Sequence, residues 1–297
     1  MKLEFIEQKV CPLCKCQSES KLLYQLEHFG VFDCVCGHRF INPALDNKSM
    51  MEIYHSSADC QQINPAMAHY YEYETLNPKT RTYSDYSKVL ETATQMTAGR
   101  DLLEVGCGTG AFLELAKKRG WQPFGVDSSS ENIRKVTERG IDGVCTDFNH
   151  FFTEKKFDFI ALWDLIEHPD NPGALIHKSF EILKHDGLLF IGTPNYPNLL
   201  SLIAESLFRL SGGRIHTPMD RLYFPEHTSY FNQKTLSLLL SRNGFVLVKS
   251  WKTQTDLDRY YFPQSTKNVL RIVFTTARIL GLENRILVFA RKLISQN

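Results

Sequence analysis

The sequence has almost no excess charge, no internal repeat and no low-complexity tract. Its 34 lysines and arginines nearly balance 33 aspartates and glutamates, for a net charge of +1. Such a balance provides no overall attraction to nucleic acid or to an anionic membrane, although it leaves room for a local basic patch. With 297 residues, 43% of them hydrophobic, the chain is long enough for one large and one small domain.

Long apolar runs are also missing. No uninterrupted run approaches the roughly eighteen residues that a membrane-spanning helix requires. The first eight residues, MKLEFIEQ, lack the apolar centre of a signal peptide. We therefore expect a soluble, cytoplasmic protein.

Cysteine is scarce except near the N-terminus, where five of the eight fall within the first 36 residues. In a cytosolic chain, such a cluster is typical of metal binding rather than of disulfides. Two close pairs of thiols can enclose a structural zinc ion in a tetrahedron that leaves no open position for catalysis. The predicted ligands are Cys11, Cys14, Cys34 and Cys36.

The second pair is irregular, because a single residue separates Cys34 from Cys36. Cys16 or His38 is therefore an alternative for one ligand, and a set of unliganded buried thiols is the alternative to the whole site. The scattered Cys60, Cys107 and Cys145 are interpreted as small apolar side chains that fill space.

The chain divides into three predicted segments. Residues 1–45 form a zinc knuckle, and residues 46–98 form a linker with tyrosines that ends in a helix over residues 80–96. Residues 99–297 form the main domain, in which residues 196–231 are an insertion that covers the substrate. The insertion contains an amphipathic helix over residues 199–210, whose apolar residues (Leu199, Ile203, Leu207 and Leu210) are predicted to pack in the core, with a substrate lid or an oligomer contact as the alternatives.

From residue 100 onwards, short apolar strands alternate with helices. This pattern predicts an α/β fold with a doubly wound, mostly parallel, seven-stranded sheet of Rossmann-like type. The last two strands are predicted to form an antiparallel hairpin that closes the sheet. The predicted strands are 101–105, 123–126, a short one that ends at 146, 157–163, 188–192, 245–248 and 285–292.

Glycines and polar residues follow the predicted strands, where ligands bind in such sheets. The turn after the first strand, Gly106-Cys107-Gly108-Thr109-Gly110, leads into a helix and brings backbone N–H groups near a ligand. Gly106-x-Gly108-x-x-Ala111 also fits a loose dinucleotide fingerprint. Glu104, Gly110 and Asp147 favour a different nucleotide-like cofactor.

The ordered series of motifs resembles the class I S-adenosylmethionine-dependent methyltransferases over roughly residues 80–292. The residues that carry the resemblance are Glu104-Val105-Gly106-Cys107-Gly108-Thr109-Gly110, Asp127, Asp147-Phe148, Glu167-His168, Leu183-Lys184-His185-Asp186-Gly187, Thr193-Pro194-Asn195, Glu226-His227-Thr228-Ser229-Tyr230-Phe231 and Gly244-Phe245.

The resemblance implies S-adenosylmethionine as the cofactor. Glu104 and the glycine turn would hold its methionine part and ribose, and Asp127 would accept both ribose hydroxyls. Asp147 and Phe148 would hold adenine, and Trp163 and Asp164 would line the wall near the sulfonium. The implied cofactor residues are Glu104, Gly106, Cys107, Gly108, Gly110, Asp127, Ser128, Asp147, Phe148, Trp163 and Asp164.

The cysteine-rich N-terminus looks like that of a bacterial branch whose members often methylate sugars or other small metabolites. The acceptor implied is a hydroxyl or carbon of a sugar, glycan or related small molecule. His168 and His227 are candidate general bases, with His216 as a further candidate. For His168, a structural Glu-His turn is the alternative. Arg214 and Arg221 are candidate substrate anchors or solvated loop charges.

The sequence is also compatible with two other functions. The first is an RNA methyltransferase, which is disfavoured because the knuckle mixes acidic with basic residues and carries no basic stripe. The second is a protein that binds the cofactor without catalysing a reaction. Lys267, Arg271 and Arg278 lie along one face of an apolar helix, which predicts either peripheral contact with a membrane or packed side chains that snorkel to water. The sequence predicts no particular oligomeric state.

Overall fold

The computed structural model describes residues 4–8, 10–16, 20–46, 49–50, 77–260 and 262–293. The tyrosines predicted to lie in the linker (Tyr54, Tyr70, Tyr71 and Tyr73) and Cys60 fall outside the described residues. In chain order, the strands are β1 (Phe5–Ile6), β2 (Ser20–Gln25), β3 (Gly30–Cys34), β4 (Arg39–Asn42), β5 (Ala44–Leu45), β6 (Asp101–Val105), β7 (Gln122–Asp127), β8 (Asp142–Cys145), β9 (Phe157–Trp163), β10 (Leu183–Pro194), β11 (Ser229–Tyr230), β12 (Phe245–Thr253) and β13 (Arg285–Lys292). The α-helices are α1 (Arg81–Met96), α2 (Ala111–Lys118), α3 (Ser130–Glu138), α4 (Pro172–Ile182), α5 (Leu199–Leu210), α6 (Thr217–Asp220), α7 (Gln233–Arg242) and α8 (Gln264–Leu280).

The central sheet has seven strands in the order β12-β13-β10-β9-β6-β7-β8. Strands β10, β9, β6, β7 and β8 are parallel, while β13 runs antiparallel to both of its neighbours, β10 and β12. The predicted fold class is therefore confirmed, including the antiparallel pair that closes one side.

Both faces of the sheet are buried, which explains why its strands read as continuous apolar runs. Alternate residues point to opposite sides, so Leu103 and Ile160 join one core cluster while Leu102 and Phe159 join the other. All four side chains are fully buried. Hydrophobic burial on two faces fixes the sheet that presents the site.

Strand β10 begins before the predicted strand 188–192, because Leu183 already pairs with Phe157, and the pairing is irregular between Leu183 and Leu188. Helix α3, which follows β7, has Ser129 as its N-cap, and the Ser129 side chain accepts a hydrogen bond from the Asn132 N–H. Asp127 accepts a hydrogen bond from the Ser129 N–H, which holds Ser129 at that position.

The N-terminal knuckle shares a sheet with the insertion. Strand β11, at the end of the insertion, pairs with β4 in the sheet order β11-β4-β3-β2. Cys11, Leu13 and Cys34 belong to the same core cluster as the central sheet. The knuckle therefore packs directly on the main domain.

Helix α5 has the predicted bounds, but its apolar side does not form core. Ile203, Leu207 and Leu210 are exposed, while Ala204 and Glu205 are buried. The buried side is polar because Glu205 forms an ion pair with the buried Arg39 at 2.8 Å and accepts a hydrogen bond from the Tyr223 hydroxyl.

Candidate functional site

A cavity of about 340 Å³ lies at the carboxyl ends of the parallel strands, where the doubly wound fold places ligands. Its volume falls in the range that small-molecule sites occupy. The cavity wall contains ten of the eleven predicted cofactor residues and one predicted base: Glu104, Gly106, Cys107, Gly108, Asp127, Ser128, Asp147, Phe148, Trp163, Asp164 and His168.

The glycine turn between β6 and α2 needs glycine for conformation and for space. Gly106 and Gly110 have φ angles of +68° and +83°, which favour glycine. A Cβ atom on Gly110 would lie 2.9 Å from Val136 Cγ2. Gly110 does not line the cavity but serves as the N-cap of α2. Gly110 was predicted to bind the cofactor, but its position in the structure supports the turn and the start of α2 instead.

Asp127, at the end of β7, is tied to the glycine turn. One carboxylate oxygen accepts a hydrogen bond from the Gly108 N–H at 2.8 Å, and the other accepts from the Ser129 N–H and the Asn132 amide. Burial raises the pKa of Asp127 in spite of these bonds. A carboxylate has about four acceptor positions, so about one is left for a ligand hydroxyl.

Glu104 lies on the cavity wall and is almost fully buried. Its side chain is 3% exposed, and Oε2 has no hydrogen-bond partner among the described residues. Burial, together with the nearby Asp127, raises its pKa well above the usual value. A buried carboxyl oxygen without a partner fits a ligand that donates hydrogen bonds or carries positive charge.

Asp147 and Phe148 follow β8 and line the cavity together. The Asp147 side chain accepts a hydrogen bond from the Asn149 N–H, which starts a short 3₁₀ turn over Phe148–His150. Phe148 is buried and stacks near Phe151, with ring centroids 6.1 Å apart. Asp147 and Phe148 therefore present a carboxyl group and an aromatic ring to the cavity.

Three aromatic side chains, Tyr86, Phe112 and Trp163, form another part of the cavity wall, here called the aromatic wall. The Trp163 ring lies 4.9 Å from that of Tyr86 and 5.7 Å from that of Phe112. Trp163 Nε1 lacks a hydrogen-bond partner within the described part of the chain. Aromatic faces attract cations, so this wall suits a positively charged group.

Asp164 does not stand alone beside the cavity. Its carboxylate lies 2.6 Å from Arg285 and 3.5 Å from Arg259. Burial by itself would raise the pKa of Asp164, but the two arginines outweigh burial and lower it. The cavity wall therefore holds an ion-paired aspartate and the cationic Arg259.

The two candidate bases lie side by side, with ring centroids 4.9 Å apart. His168 lines the cavity, whereas His227 does not. His168 Nδ1 lies 2.9 Å from the Glu226 carbonyl oxygen. Because a carbonyl oxygen only accepts, Nδ1–H is the donor in this contact.

Burial keeps the imidazole rings of both histidines neutral. It lowers the pKa of His168, and together with the neighbouring His168 it lowers the pKa of His227 to about 3. Because His168 also lines the cavity, it is the better placed of the two histidines to accept a proton.

Glu167 lies next to His168 in the sequence. It accepts a hydrogen bond from the Thr193 hydroxyl at 2.8 Å, and burial together with the nearby Asp164 raises the pKa of Glu167 to about 8.

The other candidates of the insertion lie away from the cavity. His216 is exposed and lies 2.6 Å from Asp220, and Arg214 and Arg221 are exposed. Sequence reasoning missed Tyr86, Asn132, Arg259 and Arg285. Only Asn132 had a local signal, five residues after Asp127 on a helix that begins at the strand end.

The thiols of Cys11, Cys14, Cys34 and Cys36 all lie within 4.8 Å of one another. A tetrahedral zinc site with bonds of about 2.3 Å has sulfurs about 3.8 Å apart. Cys11 and Cys36 Sγ are 3.9 Å apart, and Cys14 and Cys34 Sγ are 3.4 Å apart. The donor set fits zinc.

The two alternative zinc ligands differ in position. Cys16 Sγ is 3.0 Å from that of Cys14 and 3.2 Å from that of Cys34, closer than the edge of such a tetrahedron. His38 is buried against Ser229, with Nε2 3.2 Å from its Oγ, and is not part of the thiol group. Of the two alternative zinc ligands, only Cys16 has its donor atom next to the thiol group.

The sequence matches known proteins over more than half of its length. Residues 68–250 match the family described as "Methyltransferase domain". Ubiquinone biosynthesis O-methyltransferase of Bradyrhizobium sp. (strain ORS 278) is 32% identical over 104 residues, which are 33% of this chain and 41% of the relative. The enzyme of the same name from Glaesserella parasuis serovar 5 is 33% identical over 109 residues, 33% of this chain and 46% of the relative. The chain thus spans less than half the length of these curated relatives.

A solved structure shares the fold across most of the chain. Magnesium protoporphyrin IX methyltransferase from Synechocystis PCC 6803, with bound SAH, aligns with a TM-score of 0.53. The alignment has 14% identity and covers 83% of this chain and 100% of that one. At this identity, the likeness concerns the fold.

Proposed function

Because the chain belongs to the class I S-adenosylmethionine-dependent methyltransferases, we propose that it transfers a methyl group from S-adenosylmethionine to a small molecule. The observation that carries the proposal is the buried Glu104 carboxyl on the cavity wall, whose Oε2 lacks a partner among the described residues. A carboxyl in that position is unfavourable for the empty protein and is balanced by a ligand with donors or positive charge.

The bound cofactor supplies a methyl group on a cationic sulfur, so the protein mainly has to orient the reactants and exclude water. Glu104 and the N–H groups of the glycine turn would hold the amino-acid end and ribose. Asp127 would accept a hydrogen bond from ribose, and Asp147 with Phe148 would hold adenine. The aromatic wall of Tyr86 and Trp163 favours the positive charge nearby.

The acceptor is proposed to be a hydroxyl group, or a carbon, of a small molecule. His168 supports a hydroxyl because its imidazole lines the cavity and burial lowers its pKa, so the neutral ring can take the proton that such an acceptor loses. The names of the curated relatives, which are O-methyltransferases, also favour oxygen. A sugar or glycan-linked acceptor rests only on the resemblance of the cysteine-rich N-terminus.

We further propose one structural zinc ion held by Cys11, Cys14, Cys34 and Cys36. Four thiolates complete a tetrahedron, so this ion would stabilise the knuckle and take no part in methyl transfer. A zinc site of four cysteines also supports a cytoplasmic location, because the cytosol keeps thiols reduced and so available to a metal. In the described part of the chain, no helix has both the length and the apolar character needed to cross a membrane.

Isothermal titration calorimetry with S-adenosylmethionine and with NADH tests the cofactor. We expect binding of the former alone. Asp127→Ala should weaken it about 10- to 100-fold, because a hydrogen bond to a charged group and the order of the glycine turn are both lost. The matched control is Asp142→Ala, an exposed aspartate on the next strand. Tight NADH binding, or an unchanged affinity of Asp127→Ala, would refute the proposal.

A screen with radioactive methyl donor then tests the acceptor on nucleotide sugars, phenols and RNA. Incorporation into a sugar or a phenol supports a small-molecule acceptor and tells the two apart. Incorporation into RNA alone would make the protein an RNA methyltransferase. Cofactor binding without transfer to any class would favour a sensor.

A further inference from the structure

The face formed by α5 and α8 is unusually apolar for an exposed surface. Among the described residues, nine of the sixteen exposed large apolar side chains belong to two segments, 202–215 and 269–280. The two helices contact each other, and the Leu199 N–H at the start of α5 donates to the Leu282 carbonyl just after α8. We call this surface the α5–α8 face. Its exposed apolar residues are Leu202, Ile203, Leu207, Leu210, Ile215, Val269, Ile272, Ile279 and Leu280.

Helix α8 turns its apolar stripe away from the protein. Val269, Ile272 and Ile279, with Thr276 between them, recur at helical spacing and lie on one side. Val269 is 60% exposed, Ile272 69% and Ile279 78%. Only Phe274 and Ala277 of this helix are buried, on the other side. The orientation is the reverse of that in a core helix.

The exposed charges carried by helices α5 and α8 themselves are all positive. Helix α8 contains Lys267, Arg271 and Arg278 and no acidic residue. Lys267 is paired with Asp258 at 3.0 Å, whereas no described acid forms an ion pair with Arg271 or Arg278. The single acid of α5 is the buried Glu205. The exposed apolar stripe is thus bordered by uncompensated cations.

We propose that the α5–α8 face docks on the surface of an anionic lipid bilayer. Apolar side chains on the outside of an amphipathic helix enter the boundary between headgroups and acyl chains, and arginines beside them attract anionic headgroups. A second copy of the chain fits the charges less well. In a twofold interface the same face of both copies would present only cations from α5 and α8, because α8 contains no acid and the single acid of α5 is buried.

Vesicle flotation of the full chain, purified with zinc, tests the proposal without cofactor or acceptor. The vesicles are phosphatidylcholine alone or phosphatidylcholine with about a quarter phosphatidylglycerol, in about 50 mM and about 0.5 M salt. We expect flotation with the anionic vesicles at low salt, weakened at high salt. Arg271→Gln with Arg278→Gln should reduce affinity about 25-fold, since each cation near the surface contributes about fivefold.

Ile272→Glu with Ile279→Glu should abolish flotation, because it places acids on the docking stripe. Both side chains are exposed, so the variant should keep the wild-type melting temperature. The matched control is Phe152→Glu, an 85% exposed apolar side chain outside this face, which should float like the wild type.

Three results would overturn the proposal. The first is no flotation of the wild type with anionic vesicles, and the second is equal flotation with neutral ones. The third is a wild-type dimer in light scattering that the double glutamate variant converts to monomer, since the face would then be an interface between copies. The readouts are independent of methyl transfer, so the proposed function can fail or hold separately.

Discussion

At the scale of single residues, the site depends on acids that the fold holds in apolar surroundings. Glu104 and Asp127 both face the cavity, and burial is the first cause of the raised pKa of each. Two nearby carboxyls are unfavourable in an empty site, and a cationic ligand relieves that cost. The two residues proposed to bind the cofactor thus reduce the stability of the protein without a ligand.

Glu104→Gln should therefore stabilise the protein without cofactor. A glutamate whose pKa is higher in the folded than in the unfolded state costs stability above its unfolded value, which is near 4.5. We expect the melting temperature of the variant to exceed that of the wild type by about 2–4 °C at pH 8, with almost no difference at pH 4.5. Thermal scans across pH, with Glu131→Gln at the surface as control, would measure this. A gap that shrinks as the pH rises would contradict it.

His168→Gln tests the proposed base. It should lower kcat about 100- to 10,000-fold with a hydroxyl acceptor while the Kd of S-adenosylmethionine stays the same. His216→Gln, an exposed histidine paired with Asp220, is the control. Because burial lowers the pKa of His168, the wild-type rate should fall with acid only below pH 6.5. A variant with unchanged kcat would exclude His168 as the base.

At the scale of elements, the knuckle, the insertion and the central sheet are joined by polar as well as apolar contacts. Arg39 of β4 is buried and pairs with Asp33 and with Glu205 of α5, and it donates to the Tyr223 hydroxyl. Strand β11 adds backbone hydrogen bonds between the same two regions. The position of the insertion thus depends on the N-terminal sheet.

Arg39→Met should destabilise the fold by about 3–5 kcal/mol, because it leaves Glu205 buried without its main cation. Urea unfolding followed by circular dichroism gives the free energy. Arg221→Met, an exposed arginine of the insertion, should change it by less than about 0.5 kcal/mol. If Arg39→Met also lowered the free energy of unfolding by less than about 0.5 kcal/mol, the hydrogen-bond network around Arg39 would contribute little to stability.

The zinc ligands can be assigned by comparing two neighbouring thiols. Elemental analysis should find about one zinc per chain in the wild type and in Cys16→Ser, and clearly less in Cys36→Ser. The reason is that the sulfurs of Cys11, Cys14, Cys34 and Cys36 all lie within 4.8 Å of one another, a group that does not include Cys16. Zinc loss in Cys16→Ser with retention in Cys36→Ser would reverse the assignment.

At the scale of the whole molecule, the knuckle and the central sheet share one core cluster, so they should unfold together. The three tryptophans belong to the cluster on the other face of the sheet and report on it by fluorescence. Heating with a zinc-sensitive dye should give zinc release and the tryptophan transition at the same midpoint within about 2 °C. Zinc release well below the tryptophan transition would show that the knuckle opens by itself.

The sequence by itself determined the architecture and most of the residues that line the cavity. Alternation of apolar strands and helices was sufficient for a seven-stranded sheet, and Glu104, Asp127 and Asp147 could be placed because strand ends meet at one edge. These signals are local in sequence. Hydrophobic periodicity and glycine turns act over a few residues, so a linear reading detects them.

Only the tertiary structure decided which distant residues meet. Arg259 and Arg285 pair with Asp164 across about a hundred residues of chain, and no local pattern marks them. The outward apolar side of α5 was predicted as core because periodicity shows that a helix has two sides but not which side faces in. That choice depended on Arg39 and Glu205, whose buried ion pair formed only when β4 and α5 packed together.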